Sequence, residues 1–115
     1  MESREILAAI AALSLRITKC SAERASIVEI DQLLSLKEAW VTHARSLLHA
    51  KRDLRGPCNS GNVVTQRLQQ ANSVIACTSA LEAVHPLLLA ELKKEPVGSE
   101  IATLVGALLI SLDNA

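Results

Sequence analysis

The chain has no phenylalanine, no tyrosine and a single tryptophan, Trp40. Half-buried pleated surfaces favour aromatic and β-branched residues, so this alphabet serves a sheet-rich fold poorly. Four glycines and three prolines in 115 residues leave little material for the many tight turns of a β-sandwich or barrel. Charge of one sign is also missing: twelve basic residues balance twelve acidic ones. Total charge therefore draws the protein neither to nucleic acid nor to an anionic membrane. The asymmetry between halves is mild, with nine basic and seven acidic side chains in residues 1–55 against three and five in 56–115.

Three cysteines, Cys20, Cys58 and Cys77, are an odd number at wide spacing. That suits free thiols in a reducing compartment better than a disulfide framework. Neither Cys-x-x-Cys nor His-x-x-x-His occurs, and His43 and His49 do not share a helix face, so no metal site is expected. The glycine-rich loops that cradle phosphates or dinucleotides are missing too, and no nucleophile motif frames a cysteine. The expectation is a protein with no cofactor, no small-molecule substrate and no catalysis. Cys58, beside Gly56-Pro57, is the thiol expected to be most reactive.

The longest uncharged run, Leu68 to Leu81, is shorter than the roughly 18 to 20 residues that cross a bilayer, and Gln69, Gln70, Asn72 and Ser73 make it polar. Ile6 to Leu15 has the apolarity of a signal-peptide core, but Glu2 and Glu5 spoil the positive start. No membrane association is expected, and the compartment is cytoplasmic or nuclear.

What the chain does have is Leu, Ile and Val, thirty-five of them between Ile6 and Leu112. Disorder through low hydrophobicity is excluded over any long stretch, and the length suits one domain over residues 1–115 with one core. Ile6, Ile10, Leu13, Ile17 and Cys20 repeat at helical spacing, predicting a first helix from Ser3 to about Lys19. Ser26-Ile-Val-Glu29 matches a capping box and predicts a second helix running to Leu54. Its apolar positions form two neighbouring stripes, Ile27, Ile30, Leu34, Val41, Ala44, Leu48 and Leu33, Leu36, Trp40, Leu47, Leu54, a face wide enough to meet more than one helix. Gly56-Pro57 and the polar residues to Asn62 then mark a turn.

A third helix from Asn62 carries Val64, Leu68, Ala71 and Ile75 on one stripe and Val74, Cys77, Leu81 and Val84 on another. Proline lacks an N–H and clashes with the preceding turn, so His85-Pro86 predicts a kink or a new short helix. Pro96-Val-Gly-Ser99 is a second breaker, with Ser99 as a cap for a last helix to Leu112. The fold predicted is all-α: a compact bundle of four or five helices built around a long antiparallel helical hairpin.

Three groups of residues are candidates for function. The last helix has no charge between Glu100 and Asp113. A helix apolar nearly all round must be buried on most sides, either as the centre of its own bundle or against another chain. Ile101, Leu104, Val105, Leu108 and Leu112 are therefore candidate partner-binding residues. Trp40 is a second, either a core side chain or an anchor for a partner. Arg45, Lys51, Arg52 and Arg55 make the end of the second helix basic. These cations complement the helix dipole, or they form a small phosphate-contacting patch, which would lack the aromatics that stack on bases.

The function expected is a non-enzymatic interaction subunit or adaptor that offers apolar helix faces to a homo-oligomer or multi-protein complex, a small chaperone for a helical client among the forms this takes. The alternative is a helical nucleic-acid-associated module using the basic helix end.

Overall fold

A computed structural model describes residues 2–24, 26–58, 61–94 and 96–115, and the side chains of all of these but 96–98. Four helices follow one another: α1 (Ser3–Ala22), α2 (Ile27–Arg55), α3 (Val63–Leu92) and α4 (Pro96–Asp113). No strand occurs among the described residues. The connections are short, so consecutive helices fold back on each other. α1 packs on α2, α2 most extensively on α3, α3 on α4, and α4 closes the ring against α1. The result is an up-down-up-down bundle around the α2–α3 hairpin.

Local chemistry sets most helix ends. At α1 the Glu5 carboxylate accepts from the Glu2 backbone N–H at 3.0 Å. The Ser26 hydroxyl accepts from Glu29 N–H at 3.4 Å to open α2, and Asn62 Oδ1 accepts from Thr65 N–H at 3.2 Å to open α3. These bonds satisfy N–H groups that the helix cannot. Carbonyl ends are met by cations. The Arg67 guanidinium donates to the carbonyls of Leu54 and Gly56, closing the end of α2. Lys51 Nζ donates to the carbonyl of Leu112 and, at 3.0 Å, to that of Asp113, closing the end of α4. Both cations sit at the negative pole of the helix they cap.

Two expected boundaries differ. α3 continues through His85-Pro86 without a break. Pro86 and Glu82, whose carbonyl loses its N–H partner, both lie on the exposed side of the helix, where water can solvate the freed oxygen. Leu81 before the proline and Leu88 and Leu92 after it are all buried. Their packing holds one helix across a residue that costs about 3 kcal/mol in a helix interior. α4 begins at Pro96 rather than Glu100, because proline suits the first helical position, where no N–H is needed.

The core unites Ile6, Ile10, Leu13 and Ile17 of α1, Leu33, Trp40, Ala44, Leu47 and Leu48 of α2, Leu81, Leu88 and Leu92 of α3, and Ile101, Val105 and Leu112 of α4. At one end of the bundle Arg24, in the α1–α2 connection, donates from Nη2 to the Glu91 backbone carbonyl at 2.7 Å. Its Nη1 lies 3.6 Å from the Glu91 carboxylate, which also meets Lys94 Nζ at 2.8 Å. Desolvation offsets much of a buried pair's attraction, so the main effect of this clamp is to fix where α3 ends against the α1–α2 turn.

The bundle is long and thin, 56 × 25 × 17 Å, with a radius of gyration of 16.0 Å. A globular domain of this length averages about 13 Å. α3 is responsible for much of the surplus, because from Val63 to Ala80 none of its residues is buried.

Candidate functional site

Trp40 is buried completely. It projects from α2 toward α3, where its indole N–H donates to Nδ1 of His85 at 3.0 Å, the rings 6.4 Å apart at an interplanar angle of 37°. A buried tryptophan needs an acceptor, and this one has it within the chain, so of its two readings the core side chain is the one this burial and hydrogen bond support. Burial lowers the His85 pKa from its ordinary value of 6.5. That shift agrees with the hydrogen bond, since only a neutral imidazole leaves Nδ1 free to accept. His85 itself went unassigned in the sequence, although the indole's need for an acceptor was the signal that pointed to such a partner.

In the last helix, too, the core reading has the structural support within the single chain. Ile101, Val105, Leu108 and Leu112 face inward and are buried by α1, α2 and α3. Only Leu104 of that stripe stays open, at 37% exposed. With Ala9, Ala12, Leu13, Ala107 and Leu108 it lines a shallow groove of about 280 Å³ between α1 and α4. One stripe of this uncharged helix is thus core, while Thr103, Ala107 and Ile110, the last 63% exposed, lie on its outer side.

The basic end of α2 is divided. Lys51 is committed to the carbonyls of α4, which corrects its assignment as a phosphate contact. Arg52 and Arg55 share an open groove with Arg4, but Glu2 lines it as well. Arg45 does not line that groove; it is exposed one turn before His49.

Among the described residues no group of three or more His, Cys, Asp or Glu is arranged to hold a metal. Among the described residues no disulfide joins the cysteines; Cys20 is buried, and Cys58 and Cys77 are half-buried. A groove of about 360 Å³ between α2 and α3 does bring His49 and Asp53 near Cys77, a proximity no sequence spacing revealed. No hydrogen bond joins His49 to Cys77 among the described residues.

The unexpected feature is the outer side of α3. Of its two predicted stripes, Val74, Cys77, Leu81 and Val84 pack inward. The other stripe does not. Val64, Leu68 and Ile75 are 79%, 61% and 63% exposed, and Leu87 further along is 56% exposed. Ala76, Ala83 and Ala90 lie exposed among them, and Glu82 is the one charge on this side. Large apolar side chains standing singly in water are ordinary, but a row of them along one helix is a larger apolar patch than a scatter of single residues makes. By length and composition α3 is also apolar enough to cross a membrane: an 18-residue window has a mean hydropathy of 1.5, with 11% of it buried. The uncharged run is too short, yet the window passes because it tolerates Glu82 or Arg67.

The fold and surface together define a helical-bundle protein with one helix face left uncovered. Comparison of the chain with protein-family models, curated proteins and solved structures finds no match.

Proposed function

We propose that the protein is a non-enzymatic interaction subunit or adaptor, built into a homo-oligomer or multi-protein complex through the outer face of α3. The observation that carries this reading is the exposed row of Val64, Leu68, Ile75 and Leu87 on a helix whose opposite side is already packed against α2 and α4. A contact surface needs apolar residues fixed in place before the partner arrives, because ordering them on binding would cost affinity. Arg67 holds α3 near its start, and the Trp40–His85 bond and the Arg24–Glu91 clamp hold its last third. Shielding a helical client is a variant of the same use. Three cysteines with no disulfide among the described residues favour a reducing compartment, the cytoplasm or nucleus.

A lipid surface suits this face less well. Interfacial helices carry Lys and Arg beside the apolar face, and here the neighbours are Gln69, Asn72, Ser73, Ser79 and Glu82. The alternative of nucleic-acid binding loses Lys51 to the α4 cap.

The test is purification of the tagged chain from cells beside a Leu68→Glu/Ile75→Glu variant. Both positions are exposed, so the variant folds. Loss of self-association or of co-purifying proteins from the variant alone is the expected result. Identical behaviour of the two proteins defeats the assignment of the face.

A further inference from the structure

We infer that the occupant of the α3 face is α3 of a second copy of this chain, packed antiparallel about a two-fold axis between Ile75 and Ala76. The inference rests on the reading of that face as a contact surface and adds its partner.

Area is the first argument. A monomer of 12.3 kDa exposes about 6,100 Å² on average, whereas this chain exposes 6788 Å². The excess, roughly 700 Å², is close to the roughly 800 Å² that each partner buries in a standard interface. A contact burying about that area on each copy would return the chain to ordinary exposure, and a two-fold pair covers the same face on both copies at once.

Register is the second. An isologous helix pair brings residue i beside residue j wherever j stands beside i. With the axis between Ile75 and Ala76, Leu68 lies beside Ala83 of the second copy, Ile75 beside Ala76, and Asn72 beside Ser79. Leu68 and Ile75 each meet an alanine, the interdigitation that close helix packing requires, Val64 meets Leu87 at each end of the pair, and the two polar residues meet each other with hydrogen-bonding capacity on both sides. Val64 and Leu87 flank this seam. All of these residues are exposed in the single chain.

Charge is the third. In this register Glu82 falls beside Gln69 of the second copy, and the two Glu82 side chains are separated by thirteen helical positions, about 20 Å at 1.5 Å per residue. No like charges meet. A parallel pair would instead set Glu82 beside Glu82, which is unfavourable in a partly desolvated seam.

The experiment measures the mass of the full chain by light scattering across roughly 1 to 100 µM. The expected result is twice 12.3 kDa. Ile75→Glu and, separately, Ala76→Glu should each return the single mass with helical circular dichroism unchanged. Register is read with a short bismaleimide in a Cys58→Ser/Cys77→Ser background. Copies carrying Leu68→Cys should cross-link to copies carrying Ala83→Cys and not to each other, since the Leu68 positions lie about 22 Å apart. A dimer untouched by both glutamates, or a Leu68→Cys chain that cross-links to itself, overturns the arrangement. A stable monomer at 100 µM overturns the second copy as occupant. If that monomer loses a different protein partner on Ile75→Glu, the broader contact-surface reading survives. If it instead partitions into phosphatidylcholine vesicles through α3, both readings fall.

Discussion

Replacing His85 with leucine should destabilise the protein although histidine is half-exposed and leucine is the more apolar residue. The reason lies across the helix interface. The indole N–H of the fully buried Trp40 donates to His85 Nδ1 at 3.0 Å, and leucine removes the acceptor while keeping the indole in the core. An orphaned buried donor costs about 1–3 kcal/mol. The new leucine recovers little of this, because most of its surface stays where the imidazole was, in partial contact with water. The expected loss is about 2 kcal/mol, or roughly 8 °C in Tm at about 4 °C per kcal/mol for a chain of this size.

Trp40→Phe makes the complementary change. It removes the donor, and His85 can turn to water instead. The loss there is about 1 kcal/mol for the hydrogen bond and about 1 kcal/mol for a cavity of roughly 40 Å³. In the Trp40→Phe background, His85→Leu should then cost almost nothing, giving a coupling of 1 kcal/mol or more. Thermal melts followed by far-ultraviolet circular dichroism measure all four corners of the cycle. A loss under about 0.5 kcal/mol for His85→Leu, or strict additivity with Trp40→Phe, would refute the reasoning.

The same bond gives a pH dependence of known sign. Burial lowers the folded pKa of His85 below 6.5, so the unfolded chain takes the proton first as the pH falls. The contribution is full above pH 6.5 and is lost from there down to the folded pKa. Trp40 is the only tryptophan and there is no tyrosine, so intrinsic emission reports this contact alone. Protonation of His85 in the folded chain should change that emission around its lowered pKa, at the lower end of this interval, and His85→Leu should abolish the change.

Two further substitutions separate local from global roles. Arg67→Ala uncaps α2 at Leu54 and Gly56 and should cost about 1–2 kcal/mol; hydrogen exchange should accelerate first at the α2–α3 turn, and uniform acceleration would contradict a capping role. Leu104→Glu places a carboxylate on a partly open groove and should change stability by less than about 1 kcal/mol. Leu108→Glu buries the same group in the core and should unfold the protein. Equal effects of the two, read by circular dichroism, would show that the inward orientation of α4 is wrong.

Much of the fold was legible because helix boundaries are local events. Ser26 and Asn62 open helices, and Gly56-Pro57 closes one, through bonds within a few residues of themselves. The stripe of α1 was equally legible: Ile6, Ile10, Leu13, Ile17 and Cys20 are its buried apolar residues, because charges on the rest of the helix leave one face that can turn inward. The Pro86 break failed since its local penalty is opposed by Leu81, Leu88 and Leu92, whose packing partners are distant in sequence. The site was less legible. No local pattern tells that Lys51 will meet the end of α4, or that Arg24 will reach Glu91 across 67 positions.

The sequence by itself determined that this chain is helical, where the turns at Ser26 and Gly56-Pro57 fall, and that α3 and α4 are both apolar on more than one side. Only the tertiary structure decided which surface is left over. Both α3 and α4 are apolar on more than one side, and nothing within either helix ranks them. Assembly does. α4 lies against α1 and α3 and also reaches α2, so its Ile101, Val105, Leu108 and Leu112 fill the centre while Ile110 stays outside. α3 outruns the shorter α1 and α4, and along Val63 to Ala80 it finds α2 on one side and water on the other. Burial is a property of neighbours, and for Val64, Leu68 and Ile75 the chain supplies none.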